Sequence, residues 1–81
     1  MESLGAAVGV AIRNRRKAIG LSQEQLGEIA GLDRTYISGV ERGVRNPTLR
    51  IIEHLATALG VTTVELFSEA DRIQKKERTK F

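Results

Sequence analysis

Residues 21–43 read LSQEQLGEIAGLDRTYISGVERG, and this stretch contains two helix-start signals. In the first, Ser22 is followed three residues later by Gln25, which is the arrangement of a capping box. In the second, Asp33 is an N-cap residue ahead of a segment with helical spacing. Gly31 separates the two segments, because glycine readily takes the left-handed backbone that ends a helix. The stretch therefore predicts two short helices joined by a tight turn.

Three further helices are predicted around this pair. The first spans Leu4–Ala18, where apolar residues recur at helical spacing along one stripe. The fourth follows the N-cap Thr48 and ends at Leu59, and the fifth begins at Thr62, with Glu65 completing a second capping box. Strand-like alternation of apolar and polar residues is absent from the sequence. The sequence therefore predicts an all-α fold, a compact bundle of five helices.

Length and composition limit the domain organisation. The chain has 81 residues and no cysteine, which predicts a single domain over residues 1–81 without disulfides or thiolate zinc sites. We expect the core over about residues 4–68 and a charged tail over residues 69–81, with helical spacing kept as far as Ile73 and a mobile chain beyond it. A chain this short has a small stability margin, so we also expect it to oligomerise.

Charge and residue inventory limit the function classes. A net charge of +3 suits a polyanionic partner such as nucleic acid. The single histidine, His54, excludes a pair of histidine ligands, and the sequence has neither a nucleophile elbow nor a phosphate-binding glycine loop. We therefore expect no enzymatic activity, no metal and no cofactor. No apolar run approaches the ~20 residues that span a bilayer, and no targeting signal is visible, so we expect a cytoplasmic protein that does not enter a membrane.

Residues 21–43 resemble the helix-turn-helix of the phage-repressor family, also called Cro-like or XRE. The matching features are the cap followed by glutamine, a leucine in the second helix, glycine in the turn, isoleucine and serine in the third helix, and Glu41 near its end. The resemblance covers roughly residues 8–68 and implies a lambda-repressor-like domain that binds double-stranded DNA and regulates transcription. Where the family usually has alanine, this chain has Gly27. Both residues are small enough for a close helix crossing, and glycine costs up to ~1 kcal/mol of helix propensity.

A narrower resemblance is carried by Leu32–Ser38, Glu41-Arg42 and Arg45-Asn46, which are similar to the controller proteins of restriction–modification systems. It implies a homodimeric autoregulator that binds a palindromic operator. Two alternatives stay open: a phage-type repressor, and an antitoxin-type protein that also binds a toxin partner through the charged tail. Binding to a membrane surface is a third alternative, but the basic residues of the first helix do not form a clean basic face.

A helical wheel divides the third helix into two faces. Ile37 and Val40 lie on the apolar side, opposite the polar residues. The resemblance implies that this helix lies in the major groove of DNA and offers its N-terminal residues to base edges. The candidate base contacts are Arg34, Thr35, Ser38 and Tyr36, and the candidate backbone contacts are Gln23, Arg42, Arg45 and Asn46.

Several of these positions have an alternative interpretation. Tyr36 lies at the edge of the apolar face, so it either packs in the core with its hydroxyl toward a phosphate or contacts a base. Gly39 lies on the polar face but has no side chain to contact DNA. It either allows a close backbone approach or is a tolerated weak spot in the helix, and we favour the second interpretation. For the charged candidates the alternative is a solvated surface.

Three other sets complete the predicted site. The resemblance implies a structural ion pair between Arg16 of the first helix and Glu41 of the third. Glu24 and Glu28 form a candidate activation patch for RNA polymerase, with a solvated acidic face as the alternative. Dimerisation is expected through the end of the fourth helix and the fifth helix, unless these residues, Leu66 above all, only close the core. The candidate dimer residues are Val61, Val64, Leu66 and Phe67.

Overall fold

The computed structural model describes residues 3–78, and every regular element in that range is an α-helix. The five helices are α1 (Leu4–Ala18), α2 (Gln23–Ala30), α3 (Arg34–Glu41), α4 (Leu49–Leu59) and α5 (Thr63–Arg78). The prediction of an all-α, five-helix fold is confirmed. The bounds of the first four helices agree with the sequence signals because those signals are local hydrogen bonds at the helix ends.

The helix starts show these hydrogen bonds directly. In α2 the Gln25 backbone N–H donates to Ser22 Oγ at 3.0 Å, and the Ser22 N–H donates to Gln25 Oε1 at 2.8 Å. The same reciprocal pair joins Thr62 and Glu65 ahead of α5. The hydrogen bond from the Thr62 backbone lowers the pKa of Glu65. Each box satisfies two amides that the helix itself leaves without partners.

The turn between α2 and α3 is tighter than its sequence indicates. Gly31 takes a left-handed backbone with φ of 72°, and the Leu32 N–H donates to the Gly27 carbonyl at 2.8 Å. A Cβ at position 27 would lie 2.5 Å from the Leu32 carbonyl oxygen. The expectation that alanine fits this crossing as well as glycine is therefore wrong for this backbone, because the turn would have to move. The helix propensity that Gly27 loses is offset by the close crossing it allows.

The fifth helix is longer than expected. It continues to Arg78, and Ala70 is fully buried while Ile73 packs against the core. The expected limits, a core ending near residue 68 and a mobile chain beyond Ile73, are therefore too short. The reason is tertiary: α5 lies along α1, its most extensive helix partner, and this contact extends the helix through a charged segment. The end of the expected tail, residues 79–81, lies outside the described residues.

One apolar core joins all five helices. The largest fully buried side chains come from α1 to α4, and α5 adds Leu66 and Ala70. Those largest side chains are Ile12, Leu26, Ile37, Val40, Leu55 and Leu59. Two of them, Ile37 and Val40, anchor α3 by its inner face. The outer face of α3 is consequently held at a fixed orientation relative to the rest of the domain.

A buried ion pair connects α1 to α3. Arg16 Nε lies 2.7 Å from Glu41 Oε2 and Arg16 Nη2 lies 2.9 Å from Glu41 Oε1, with side chains that are only 9% and 2% exposed. Arg16 Nη1 also donates to the Leu21 carbonyl at 2.8 Å, and Gln23 Nε2 donates to Glu41 Oε1 at 3.1 Å. The hydrogen bond with Glu41 raises the pKa of Arg16. No buried side-chain nitrogen or oxygen in the described part of the chain lacks a hydrogen-bond partner.

We predict that Glu41→Ala lowers the free energy of unfolding by about 3–5 kcal/mol, because it leaves Arg16 buried without its carboxylate. Urea unfolding followed by circular dichroism measures the change. Glu28→Ala removes an exposed glutamate of α2 and should change the free energy of unfolding by less than ~0.5 kcal/mol. Equal urea midpoints for the two variants would show that the ion pair does not hold α3 in place.

Candidate nucleic-acid interface

The outer face of α3 presents polar side chains from a rigid helix. The Asp33 carboxylate accepts a hydrogen bond from the Thr35 N–H at 2.9 Å, which fixes the first turn. Arg34 and Thr35 are exposed on that turn, and Ser38 is half-buried one turn later. The structure therefore brings three of the four candidate base contacts to one face. Arg34 offers a planar pair of donors at its tip, which fits an acceptor pair such as O6 and N7 of guanine.

Two arginines and an asparagine follow α3. Arg42, Arg45 and Asn46 are all exposed, and Arg42 Nε donates to the Ser38 carbonyl at 3.3 Å. The guanidinium carbon of Arg45 lies 5.9 Å from the centroid of the Tyr36 ring. Arg42 and Arg45 add positive charge after the end of α3, and Asn46 adds a neutral amide that can donate a hydrogen bond. A surface of this kind attracts the phosphates of a nucleic acid.

Tyr36 lies on the boundary between the core and this surface. It is half-buried and packs against the core residues, so core packing accounts for one side of its ring. The other side carries the Arg45 guanidinium. The structure thus shows core packing of Tyr36 together with an arginine contact, and its contact with a phosphate or a base stays a prediction.

Gln23 has a different neighbour from the one expected. Its side-chain amide donates to Glu41 Oε1 rather than pointing outward. The N-terminal turn of α2 nevertheless lies beside Arg34, since Ser22, Gln23 and Arg34 line one open depression. Backbone amides at a helix N-terminus carry partial positive charge. The first turns of α2 and α3 therefore present donors to the same region of the surface.

Gly39 is the residue whose role the sequence missed. It is buried, and a Cβ at this position would lie 2.5 Å from Cγ of Arg45. The structure adds an observation to the interpretation of Gly39 as a weak spot in the helix: the missing side chain leaves room for the stem of Arg45. No signal in α3 alone reveals this, because the residue that uses the space follows six positions later, beyond the end of the helix.

The sequence profile of the helix-turn-helix family matches residues 12–66. That span is more than half of the chain and contains α2, α3 and the turn between them. The chain belongs to the helix-turn-helix family.

Three relatives place this helix-turn-helix chain more closely. Control protein C.SmaI of Serratia marcescens is 49% identical over 57 residues, 70% of this chain and 68% of that protein. The controller protein C.AhdI from Aeromonas hydrophila is 51% identical, over 75% of this chain and 92% of that one, with a TM-score of 0.74. C.Esp1396I bound to a 19 base pair DNA duplex is 37% identical, over 88% and 95% of the two chains, with a TM-score of 0.80. The resemblance to restriction–modification controller proteins is confirmed.

The candidate dimer residues of this helix-turn-helix domain lie in different environments. Leu66 is only 3% exposed and belongs to the core, whereas Val64 is 72% exposed. Phe67 is half-buried and lines an apolar groove with Leu49, which is 75% exposed. Val61 faces a separate groove between α1 and α5. Leu66 therefore belongs to the core rather than the outer surface, and Leu49 shares a groove with Phe67, which lies one helical turn after the exposed Val64. We call Leu49, Val64 and Phe67 the apolar patch of α4 and α5.

The remaining predictions concern the acidic pair of α2, metal binding and membrane insertion. Glu24 and Glu28 are exposed on α2. Among residues 3–78, no group of three or more histidine, cysteine or acidic side chains is arranged to hold a metal ion. Within the same residues no single helix is long and apolar enough to cross a membrane; α4 and α5 meet that criterion only as a pair, which is bent by 98°.

Proposed function

We propose that this chain is a sequence-specific DNA-binding transcription regulator of the controller type, which works as a homodimer on a palindromic operator near its own gene. The observation that carries the proposal is the outer face of α3, where Arg34 and Thr35 are exposed on a helix anchored by buried Ile37 and Val40. The named controller proteins among the relatives, and the one seen on a DNA duplex, support the same function.

In this proposal α3 enters the major groove and its first turn contacts base edges. Arg34 binds a guanine through two parallel hydrogen bonds, and Thr35 offers either a hydroxyl or a methyl group to a thymine. Ser38 supplies a further hydroxyl one turn deeper, and Tyr36 contributes its ring edge and hydroxyl. The buried ion pair and the apolar inner face support this geometry because they leave α3 little freedom to tilt.

Contacts to the DNA backbone come from both ends of the motif. Arg42, Arg45 and Asn46 follow α3 and are exposed, and the first turn of α2 presents free amides next to Gln23. Because the Gln23 side chain donates to Glu41, its contribution is to hold the α2 terminus toward a phosphate. Such contacts fix register and affinity and carry little sequence information.

A single recognition helix contacts only a few base pairs. A dimer places two such helices about 34 Å apart, so that both half-sites of the operator are bound together. The patch of Leu49, Val64 and Phe67 supports dimerisation through α4 and α5, because Leu49 and Phe67 line one groove and the exposed Val64 lies one helical turn before Phe67. Exposed apolar patches on a small basic domain are commonly contact surfaces.

The exposed pair Glu24 and Glu28 on α2 is the candidate acidic contact for RNA polymerase, with a solvated acidic face as the alternative. The antitoxin alternative requires a separate segment that binds a toxin. Residues 69–78 of the expected segment belong to α5, which packs on α1, and this supports the regulator over the antitoxin.

The first experiment measures binding to the duplex just upstream of the protein's own gene, by fluorescence anisotropy at several salt concentrations. A scrambled duplex of equal length is the control. We expect binding at least ~1000-fold tighter to the upstream duplex, retained at moderate salt. Equal and steeply salt-dependent binding to both duplexes would mean that the protein binds DNA only through non-specific attraction between its basic residues and the phosphates. That result would overturn the proposal of an autoregulator.

We predict that Arg34→Ala changes the sequence preference of DNA binding, whereas Arg42→Ala changes its overall affinity. Arg34→Ala should remove about 1–3 kcal/mol of discrimination at one base pair of each half-site, because a guanine loses its bidentate partner. Arg42→Ala should weaken all duplexes alike and reduce the salt slope by about 1. A panel of duplexes with single base-pair changes measures both effects. If Arg34→Ala weakened every duplex equally, Arg34 would be a phosphate contact.

We predict that Val64→Asp converts a dimer into a monomer without unfolding it, since Val64 is 72% exposed. Sedimentation equilibrium should give the mass of one chain for Val64→Asp and twice that mass for the unmodified protein. Operator affinity should fall on the order of 100-fold, because the second half-site is no longer bound together with the first. Ile29→Asp, at an exposed apolar residue of α2, is the matched control and should stay dimeric. A dimeric Val64→Asp protein would exclude this patch as the interface.

A further inference from the structure

Position 39 on α3 is occupied by the side chain of another residue. The three heavy atoms nearest to a Cβ placed on Gly39 are Cγ, Cβ and Cδ of Arg45, at 2.5, 3.5 and 3.6 Å. All three belong to the aliphatic stem of one arginine. The stem therefore crosses α3 through the space that any other amino acid at position 39 would fill.

The backbone fixes where this stem begins. The Gly39 carbonyl accepts hydrogen bonds from the Val44 N–H at 2.9 Å and from the Arg45 N–H at 3.2 Å. These two bonds fold the chain after α3 back over the last turn of the helix. The Cα of Arg45 is thereby held close to Gly39, and the route of its side chain over α3 starts at a defined point.

The route ends at Tyr36. The Arg45 guanidinium carbon lies 5.9 Å from the centroid of the tyrosine ring, within the range of a cation–π contact. Tyr36 precedes Gly39 by three residues, so both lie on one side of the helix. The arginine consequently runs from the end of α3 back toward its first turn, where Arg34 and Thr35 are exposed. The ring is a firm support because Tyr36 packs against the core.

We infer that Gly39 is a positioning residue for DNA recognition: it lets Arg45 cross α3 and rest on Tyr36, so that the three residues present one cation at a fixed place beside the recognition turn. The inference rests on the proposed function and adds a specific device to it. An arginine that is already held in place loses less conformational freedom on binding than one on a free loop. Any side chain at position 39 moves the guanidinium away from Tyr36 and from that place.

Gly39→Ala is a clean variant for testing this. The atom closest to the new methyl group is Arg45 Cγ, which rotation about the Arg45 Cα–Cβ bond moves away, while the 3.5 Å distance to Arg45 Cβ is an ordinary contact. No backbone has to shift. Alanine also favours helix over glycine, so Gly39→Ala should unfold at a urea concentration no lower than the unmodified protein.

The free protein supplies a test that needs no DNA. Tyr36 is the only tyrosine and the chain has no tryptophan, so tyrosine fluorescence and the ring-proton NMR signals report on this one site. We expect Gly39→Ala and Arg45→Ala to change these signals in the same way, and Arg50→Ala, which removes an exposed arginine of α4, to leave them unchanged. Tyr36 signals in Gly39→Ala that match the unmodified protein would overturn the inference.

A double-mutant cycle tests the consequence for DNA. With the upstream duplex as the probe, we expect Arg45→Ala to weaken binding about tenfold and Gly39→Ala to weaken it by a similar factor. The double variant should bind within about twofold of Arg45→Ala, because Gly39 acts only through Arg45. Unchanged affinity in Gly39→Ala, or a double variant whose loss is the product of the two single losses, would overturn the inference.

The two hypotheses fail in different ways. If the unmodified protein binds the upstream and scrambled duplexes equally, the proposed function is overturned and the role of Gly39 in recognition falls with it. If the unmodified protein discriminates between the duplexes and Gly39→Ala binds just as tightly, only the inference about Gly39 is overturned.

Discussion

The ion pair of Arg16 and Glu41 is the constraint on which the rest of this structure depends. Taking two charges out of water is costly, and a buried pair is not in itself a source of stability. What the pair provides here is orientation. The planar guanidinium donates to both oxygens of Glu41 and to the Leu21 carbonyl, and Gln23 donates to the same carboxylate from α2. Because each of these bonds has a preferred geometry, the angle of α3 against α1 and α2 is set by hydrogen bonds as well as by apolar packing.

The same ion pair determines the charge of the outer surface. Glu41 is the only acidic residue in α3, and its carboxylate is buried and paired with Arg16. Arg34 and Arg42 lie at the two ends of this helix. The exposed acids beside Arg34 are the N-cap Asp33 and Glu24 of α2, which lines the same depression. A net charge of +3 is weak evidence for a nucleic-acid partner, but its local arrangement is stronger. Arg34 lies beside the N-termini of α2 and α3, and the three together produce a positive field that attracts a phosphate backbone.

The helices could be predicted from the sequence because their ends are local. Ser22 and Gln25, or Thr62 and Glu65, form their hydrogen bonds within four residues, whatever the rest of the chain does. The extent of α5 could not be predicted in the same way. The sequence of a charged segment does not by itself distinguish helix from coil. In this structure Ala70 is buried, Ile73 packs against the core, and Lys75 pairs with Asp71 one turn earlier in the helix. The sequence left open which candidate dimer residues close the core for a related reason, since apolar residues of one helix divide between the core and the surface only once the partner helices are in place.

Local sequence patterns do not reveal the close contacts made at two glycines of this domain, Gly27 and Gly39. Gly27 and Gly39 both look like weak positions in short helices, and on helix propensity alone each is a cost. The carbonyl of Leu32 lies where a side chain of residue 27 would be, and the stem of Arg45 lies where a side chain of residue 39 would be. In a chain of 81 residues the core is small, so elements that must lie precisely have to approach closely rather than be separated by large side chains. The two glycines therefore lower helix propensity but allow close contacts. Gly27 lets α3 cross α2 closely, and Gly39 leaves space for the side chain of Arg45 to cross α3.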